Sequence, residues 1–215
     1  MYDRRQILKG MIAAPAALAT TGMLTAPGIA TAAGFEIIDP PQNTSTPDKV
    51  EVMEFFWFGC PHCYAFEPSI EAWRKSMPEH ATFVREAPPL NPSWEVHSRA
   101  FYAAEAMKVT DEFVEPMFEE IHAKKKRMRK PKDIIALAGE IGLDEEKFEK
   151  MMSSFLVDTR MRRSVQLARS AAITGVPAII VNGKYRISSS TAGSHDNMIA
   201  AINEAVEIER KAMNL

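Results

Sequence analysis

Cysteine is nearly missing from this 215-residue chain: only Cys60 and Cys63 occur. A pair that close encloses too short a loop to staple a fold, so whatever the two sulfurs do is chemical. Excess positive charge is also missing. With 26 Lys and Arg against 28 Asp and Glu, the net charge is −2, which excludes a bulk cationic field, and nucleic acid is not an expected partner. No clean apolar run of about 18 or more residues exists, because Pro15, Gly22, Pro27, Gly28 and several threonines interrupt the most apolar stretch. A second cysteine pair for a zinc site is absent too. The remaining ligands would have to come from His80, His97, His122 and His195, which lack paired ligand spacing and are expected at the surface or at helix ends. Residues 34–215 show no repeat and no low-complexity tract.

What is there fits a packed chain: 46% of residues are hydrophobic and 25% charged, in a length suited to one domain or one domain with an inserted subdomain. Residues 1–33 read as a secretory signal peptide. Arg4, Arg5 and Lys9 precede an uncharged stretch from Gly10 to Phe35, and Ala30-Thr31-Ala32-Ala33 offers cleavage after Ala32 or Ala33. Asp3 to Lys9 also resembles a twin-arginine export signal, although Asp3 and Ile7 stand where Ser/Thr and Phe are usual, so the export route stays open. Export would place the chain where disulfides persist.

A short strand is predicted near Phe35–Ile38. Val50–Phe58, broken only by Glu51 and Glu54, reads as a strand buried on both faces. Gly59 ends it and Cys60-Pro61 opens a helix to about Met77, with a kink expected at Pro68. A strand follows at Thr82–Glu86. Strand character then fades, and helical spacing predicts Trp94–Met107, Asp111–Lys125, Lys132–Ile141, Glu145–Phe155 and Asp158–Ile173, with Asp111 and Asp144 as N-caps and Gly142 closing a helix. Ala178–Val181, the Asn182-Gly183 turn and Lys184–Ile187 form a hairpin before a last helix at Asp196–Met213. The basic run Lys124–Lys130 is read as a solvated helix end rather than a docking site, and Phe55, Phe56 and Phe58 as core. Pro88–Trp94 and Ser188–Ser194 are read as loops that shape a groove.

A Cys-x-x-Cys directly after a buried strand puts the first sulfur at the N-terminus of a helix, where free N–H groups and the dipole favour a thiolate. Cys60 is thus the exposed, reactive sulfur and Cys63, one turn on, the shielded sulfur that resolves a mixed disulfide. His62 adds a positive charge or donor beside it. A Cys60 pKa three units below ambient pH would stabilise the dithiol by about 4 kcal/mol, or roughly 90 mV toward an oxidant.

Glu54-Phe55-Phe56-Trp57-Phe58-Gly59-Cys60-Pro61-His62-Cys63-Tyr64 is similar to the active-site segment of the DsbA family of periplasmic thiol:disulfide oxidoreductases. Gly175-Val176-Pro177-Ala178 with Val181-Asn182-Gly183-Lys184-Tyr185 resembles that family's cis-proline loop and hairpin. The resemblance implies an α/β, thioredoxin-like fold with an inserted all-helical subdomain: 34–92 and 175–215 as the two parts of the thioredoxin-like domain, 93–174 as the insertion. It implies that Pro177 is cis and opposite Cys60, that Val176 pairs with an extended substrate, and that Pro61 and His62 tune the Cys60–Cys63 couple without any cofactor. It makes Glu54 the buried acid, with Arg85 as its basic partner. An arginine there would hold Glu54 ionised, leaving proton transfer and a structural ion pair both open. Reduced exported proteins would be the substrates, a membrane quinone-linked oxidase of the DsbB type the reoxidant, the periplasm the location and a monomer the working form. Two alternatives remain. One is a disulfide isomerase or dedicated reductant, against which Val176 before Pro177 and Pro61-His62 both speak. The other is a peptide-binding chaperone in which the cysteine pair is a minor switch.

Overall fold

The structure, a computed structural model, describes residues 34–215. The expected signal peptide, 1–33, lies outside the described residues. Five strands form one mixed sheet: β1 (Glu36–Ile37), β2 (Val50–Phe55), β3 (Ala81–Glu86), β4 (Ala178–Val181) and β5 (Tyr185–Ser188), in the order β1-β5-β4-β2-β3. β2 runs parallel to β3 and antiparallel to β4, and β1 and β5 extend the sheet as antiparallel strands. All six β2 residues are buried, as an interior strand covered on both faces requires. β2 stops at Phe55, three residues short of the predicted end. Beyond Phe56, whose N–H still reaches the Glu86 carbonyl (3.1 Å), the chain turns to enter the next helix.

Alternation along β2 assigns the site's carboxylate. Val50 and Val52 pack with Phe66, Ile70 and Trp73 of α1 (Pro61–Ser76) and with the last helix, while Met53 and Phe55 pack on the other face with Ala168 and Ile180. Glu54 therefore shares the α1 side with Val50 and Val52. Pro68, where a kink was expected, does not interrupt α1, which is helical through that residue.

Between β3 and β4 lie α2 (Glu95–Met107), α3 (Thr110–His122), α4 (Pro131–Glu140), α5 (Glu145–Met152) and α6 (Phe155–Ser170), the inserted helices expected of the thioredoxin-like fold. Their core, built on Phe101, Phe113, Phe118 and Phe148, also takes in Phe56, Phe58, Cys60 and Cys63. Helix ends depart from expectation where a side chain competes. Ser154 Oγ accepts from the Val157 N–H (3.3 Å) and starts α6 earlier than predicted. Asp144 caps α5 as expected, but Asp111 does not cap α3: it lies inside the first turn and pairs with Arg74 (3.2 Å). Gly142 follows α4 at φ +87°, the left-handed stop that a glycine allows. The Ser188–Ser194 segment holds a short helix, α7 (Ser189–Ala192), fixed by a capping box of Ser188 and Thr191. α8 (His195–Met213) closes the fold.

The basic run is not a helix end. α3 stops at His122, and Lys124 and Lys126 fold back onto buried Glu120 (2.5 Å each) while Met128 is buried.

Candidate active site at the strand–helix junction

Pro61 supplies the first residue of α1, with the fixed φ suited to that position, and Cys60 stands at the N-cap in extended conformation. The turn into the helix is tight. The Cys60 N–H donates to the Trp57 carbonyl (2.9 Å), and a Cβ on Gly59 would meet the Trp57 ring at 2.3 Å, so only glycine fits there. Trp57 in turn stacks on Trp94 at 4.5 Å.

Cys60 and Cys63 are free thiols, and they differ in the expected direction. Cys63 has no exposed surface. Cys60 keeps 8%, so it is less open than the sequence suggested: the loop carrying Val176 covers it, and its sulfur lies 3.4 Å from the Val176 carbonyl. The Cys63 thiol donates to the Cys60 sulfur, and the backbone N–H groups of Cys63 and His62 and the His62 charge assist. Together they outweigh burial and draw the Cys60 pKa down to about 6. Burial, then the hydrogen bond and charge of Cys60, push Cys63 far up. At pH 7 ionisation of Cys60 stabilises the dithiol about tenfold over one with an ordinary cysteine, at most about 1.4 kcal/mol or 30 mV before solvent screening. That is a third of the effect considered from sequence, because the sulfur sits one unit below neutrality rather than three.

The Val176–Pro177 peptide is cis, and this loop lies against Cys60. Beside it opens a groove of about 500 Å³ lined by His62, Gly175, Val176, Pro177, Ser188 and Ser190 among others. The sequence thus brings Cys60, His62, Val176 and Pro177 together from segments over a hundred residues apart.

Beneath Cys63, Arg85 Nε donates to Glu54 Oε2 at 2.7 Å. The partnership was expected; its electrostatic consequence was not. Arg85 Nη2 also binds both Glu67 oxygens (2.9 Å) and approaches Glu71 at 3.2 Å, so one guanidinium serves three carboxylates. Burial raises the Glu54 pKa, Arg85 only partly offsets it, and Glu71 adds to the rise. Glu54 is therefore not held ionised more firmly. Its Oε1 is buried without a hydrogen-bond partner, and its charge is felt at Cys63. Glu67 is raised to about 7, chiefly by burial.

One histidine corrects the sequence reading and another adds to it. His97 is buried, its Nε2 2.9 Å from the Met128 carbonyl, with burial lowering its pKa to about 4. The His122 Nε2 lies 2.7 Å from the Phe58 carbonyl, and its ring stacks on Tyr64 at 4.8 Å. His97 is not a surface residue, whereas His122 is half-buried at the last residue of α3, the helix-end placement expected of it. Nothing local in the sequence marks them, since both contacts span more than thirty residues.

With this geometry in place, comparison with known proteins is specific. Residues 51–202 match the family model of the DSBA-like thioredoxin domain. The thiol:disulfide interchange protein DsbA of Pseudomonas aeruginosa is 37% identical over 182 residues, covering 84% of this chain and 86% of that protein. The protein of the same name from Burkholderia cepacia is 38% identical over 168 residues, covering 77% and 79%. The crystal structure of Pseudomonas aeruginosa DsbA superposes with a TM-score of 0.81 at 35% identity, over 85% of this chain and 95% of that one. A buried strand running into a Cys-Pro-His-Cys helix start, a cis-proline loop against the first sulfur and relatives of this extent converge on one assignment: the chain belongs to the DsbA family.

Proposed function

We propose that this thiol:disulfide oxidoreductase works as a dithiol oxidase, donating a Cys60–Cys63 disulfide to reduced proteins exported to the periplasm. A substrate thiolate attacks Cys60 Sγ, the Cys60–Cys63 bond breaks, and Cys63 leaves with the electron pair and takes a proton. A second substrate thiolate then attacks the substrate sulfur of the mixed disulfide. The substrate gains its disulfide and Cys60 departs as a thiolate, so two electrons pass to the protein. The observation that carries this reading is the asymmetry of the sulfurs: Cys60 is drawn down to about 6 while Cys63 is buried and raised. A good leaving group at Cys60 makes its disulfide readily reduced.

His62 supplies charge beside the thiolate and Pro61 sets the helix start. The Val176 backbone pairs with an extended substrate along the groove past Pro177. Glu54 exchanges a proton with Cys63. The couple needs no external cofactor, the chain acts as a monomer with 93–174 as its helical insertion, and a quinone-linked membrane oxidase of the DsbB type reoxidises it.

Alkylation of the reduced protein by iodoacetamide should follow a titration centred near pH 6. Cys60→Ser should abolish oxidation of a reduced model substrate, and Cys63→Ser should accumulate mixed disulfides. A reduction potential near that of thioredoxin would defeat the oxidase assignment, and retained activity in Cys60→Ser would point instead to a chaperone.

A further inference from the structure

The turn that presents N–H groups to Cys60 is gripped from outside the thioredoxin-like part, by α3. Inside the turn, the Trp57 carbonyl receives the Cys60 N–H (2.9 Å) and the Cys60 carbonyl receives the Tyr64 N–H (3.1 Å). The Phe58 carbonyl is met by a side chain instead, His122 Nε2 at 2.7 Å. A carbonyl can only accept, so Nε2 carries the proton and the tautomer is fixed. The same helix takes a second hold one residue past Cys63: Tyr64 OH donates to Glu119 Oε1 at 2.8 Å, and the Tyr64 ring lies nearly parallel to His122, 11° apart. Both ends of the Cys60–Cys63 segment are therefore attached to two residues of one helix turn, Glu119 and His122.

We propose that His122 is a positioning residue for the thiol–disulfide reaction, fixing the Phe58 peptide so that the following N–H groups stay aimed at the Cys60 sulfur. It touches neither sulfur. Its contribution is selective for the reduced state, because only there does Cys60 carry a negative charge that misaligned N–H groups would leave poorly solvated. Side-chain packing alone has no such preference. The inference rests on the oxidase reading above, since it concerns the same thiolate.

Two variants separate the donor from the ring. His122→Phe keeps the stack on Tyr64 and loses the donor; His122→Gln keeps an N–H donor and loses the ring. The readouts are the pH profile of Cys60 alkylation and the redox equilibrium with glutathione. His122→Phe should move the profile up by about one unit, reducing the thiolate fraction at pH 6 about fivefold. The same factor at pH 7 makes the couple about 20 mV more reducing. His122→Gln should restore most of both. An unmoved profile in His122→Phe overturns the proposal, as does an equal shift in His122→Gln. Nitrogen NMR of the unaltered reduced protein provides a measurement independent of variant folding: an Nε2–H tautomer is expected, and Nδ1–H overturns the proposal. If the unaltered protein itself titrates like free cysteine, the oxidase reading falls, a result distinct from a normal wild-type profile with unresponsive variants.

Discussion

Glu54 and Glu209 are equally buried, each with 1% of its surface exposed, yet their carboxyls shift in opposite directions. Burial pushes both up. Glu209, on α8, accepts from Asn182 Nδ2 (2.5 Å), Lys184 Nζ (2.7 Å) and Tyr185 OH (3.1 Å), and those donors carry it below the ordinary carboxylate range. Glu54 has only its share of Arg85, which Glu67 and Glu71 also draw on, and one oxygen is without a partner. Donor supply as well as depth decides whether a buried acid becomes a structural tie with a lowered pKa or an acid whose pKa is raised. The tie joins α8 to the hairpin; the acid with the raised pKa lies under the sulfurs.

The largest effect that sharpens this contrast is at the tie. Glu209→Ala leaves the buried Asn182 amide with only the weak Met213 sulfur as acceptor and should cost about 2 kcal/mol in urea unfolding at pH 7. Because the folded pKa of Glu209 is depressed, its contribution is present above the unfolded value and lost as pH falls through the folded one. The variant and the parent should converge in acid. Equal stability at pH 7 would break the distinction.

The carboxylates around Arg85 should give the reverse pH signature. Glu67 is raised to about 7, so its ionised form opposes folding progressively as pH rises from about 4.5 toward 7. Glu67→Gln should match the parent below pH 4.5 and exceed it above pH 7, by on the order of 1 kcal/mol. Paired unfolding curves at pH 4 and pH 8 test this. A variant less stable than the parent at pH 8 would mean that the Arg85 ion pair outweighs the cost of burying its charge.

Much of the site was legible because local rules govern it. Pro61 after Cys60 gives a helix start, β2 reads as buried, and Asn182-Gly183 marks the hairpin turn between β4 and β5. The same rules placed all five inserted helices but missed ends by about three residues, at the start of α6 where Ser154 caps it and at His122 and Ser170 where α3 and α6 stop short, and they missed the short α7 that Ser188 caps. What escaped was set by distant partners. Glu54 was recognised as buried and paired with Arg85, but the direction of its shift depends on Glu67 and Glu71 reaching the same guanidinium from α1. The burial of His97 and the acceptors of His97 and His122, the Met128 and Phe58 carbonyls, went unread because other segments contribute those carbonyls once the helices pack.

The smallest expected effect decides what the acid under the sulfurs does. Glu54→Gln preserves shape and leaves an amide oxygen for Arg85 Nε, while the amide nitrogen takes the place of the oxygen that has no partner. It removes both a negative charge and a proton carrier, and these act on Cys63 with opposite signs. The Glu54 charge is the weakest of the effects that raise Cys63, so its removal alone would ease deprotonation and slightly accelerate attack of Cys63 on a mixed disulfide at Cys60. Loss of a proton acceptor would slow the same attack. Since burial raises the Glu54 pKa and makes it a stronger proton acceptor than an ordinary carboxylate, the variant should resolve a glutathione mixed disulfide about threefold more slowly in stopped-flow at pH 7, equivalent to about 0.7 kcal/mol. Acceleration instead would reduce Glu54 to an electrostatic neighbour and make it, like Glu209, a structural carboxylate.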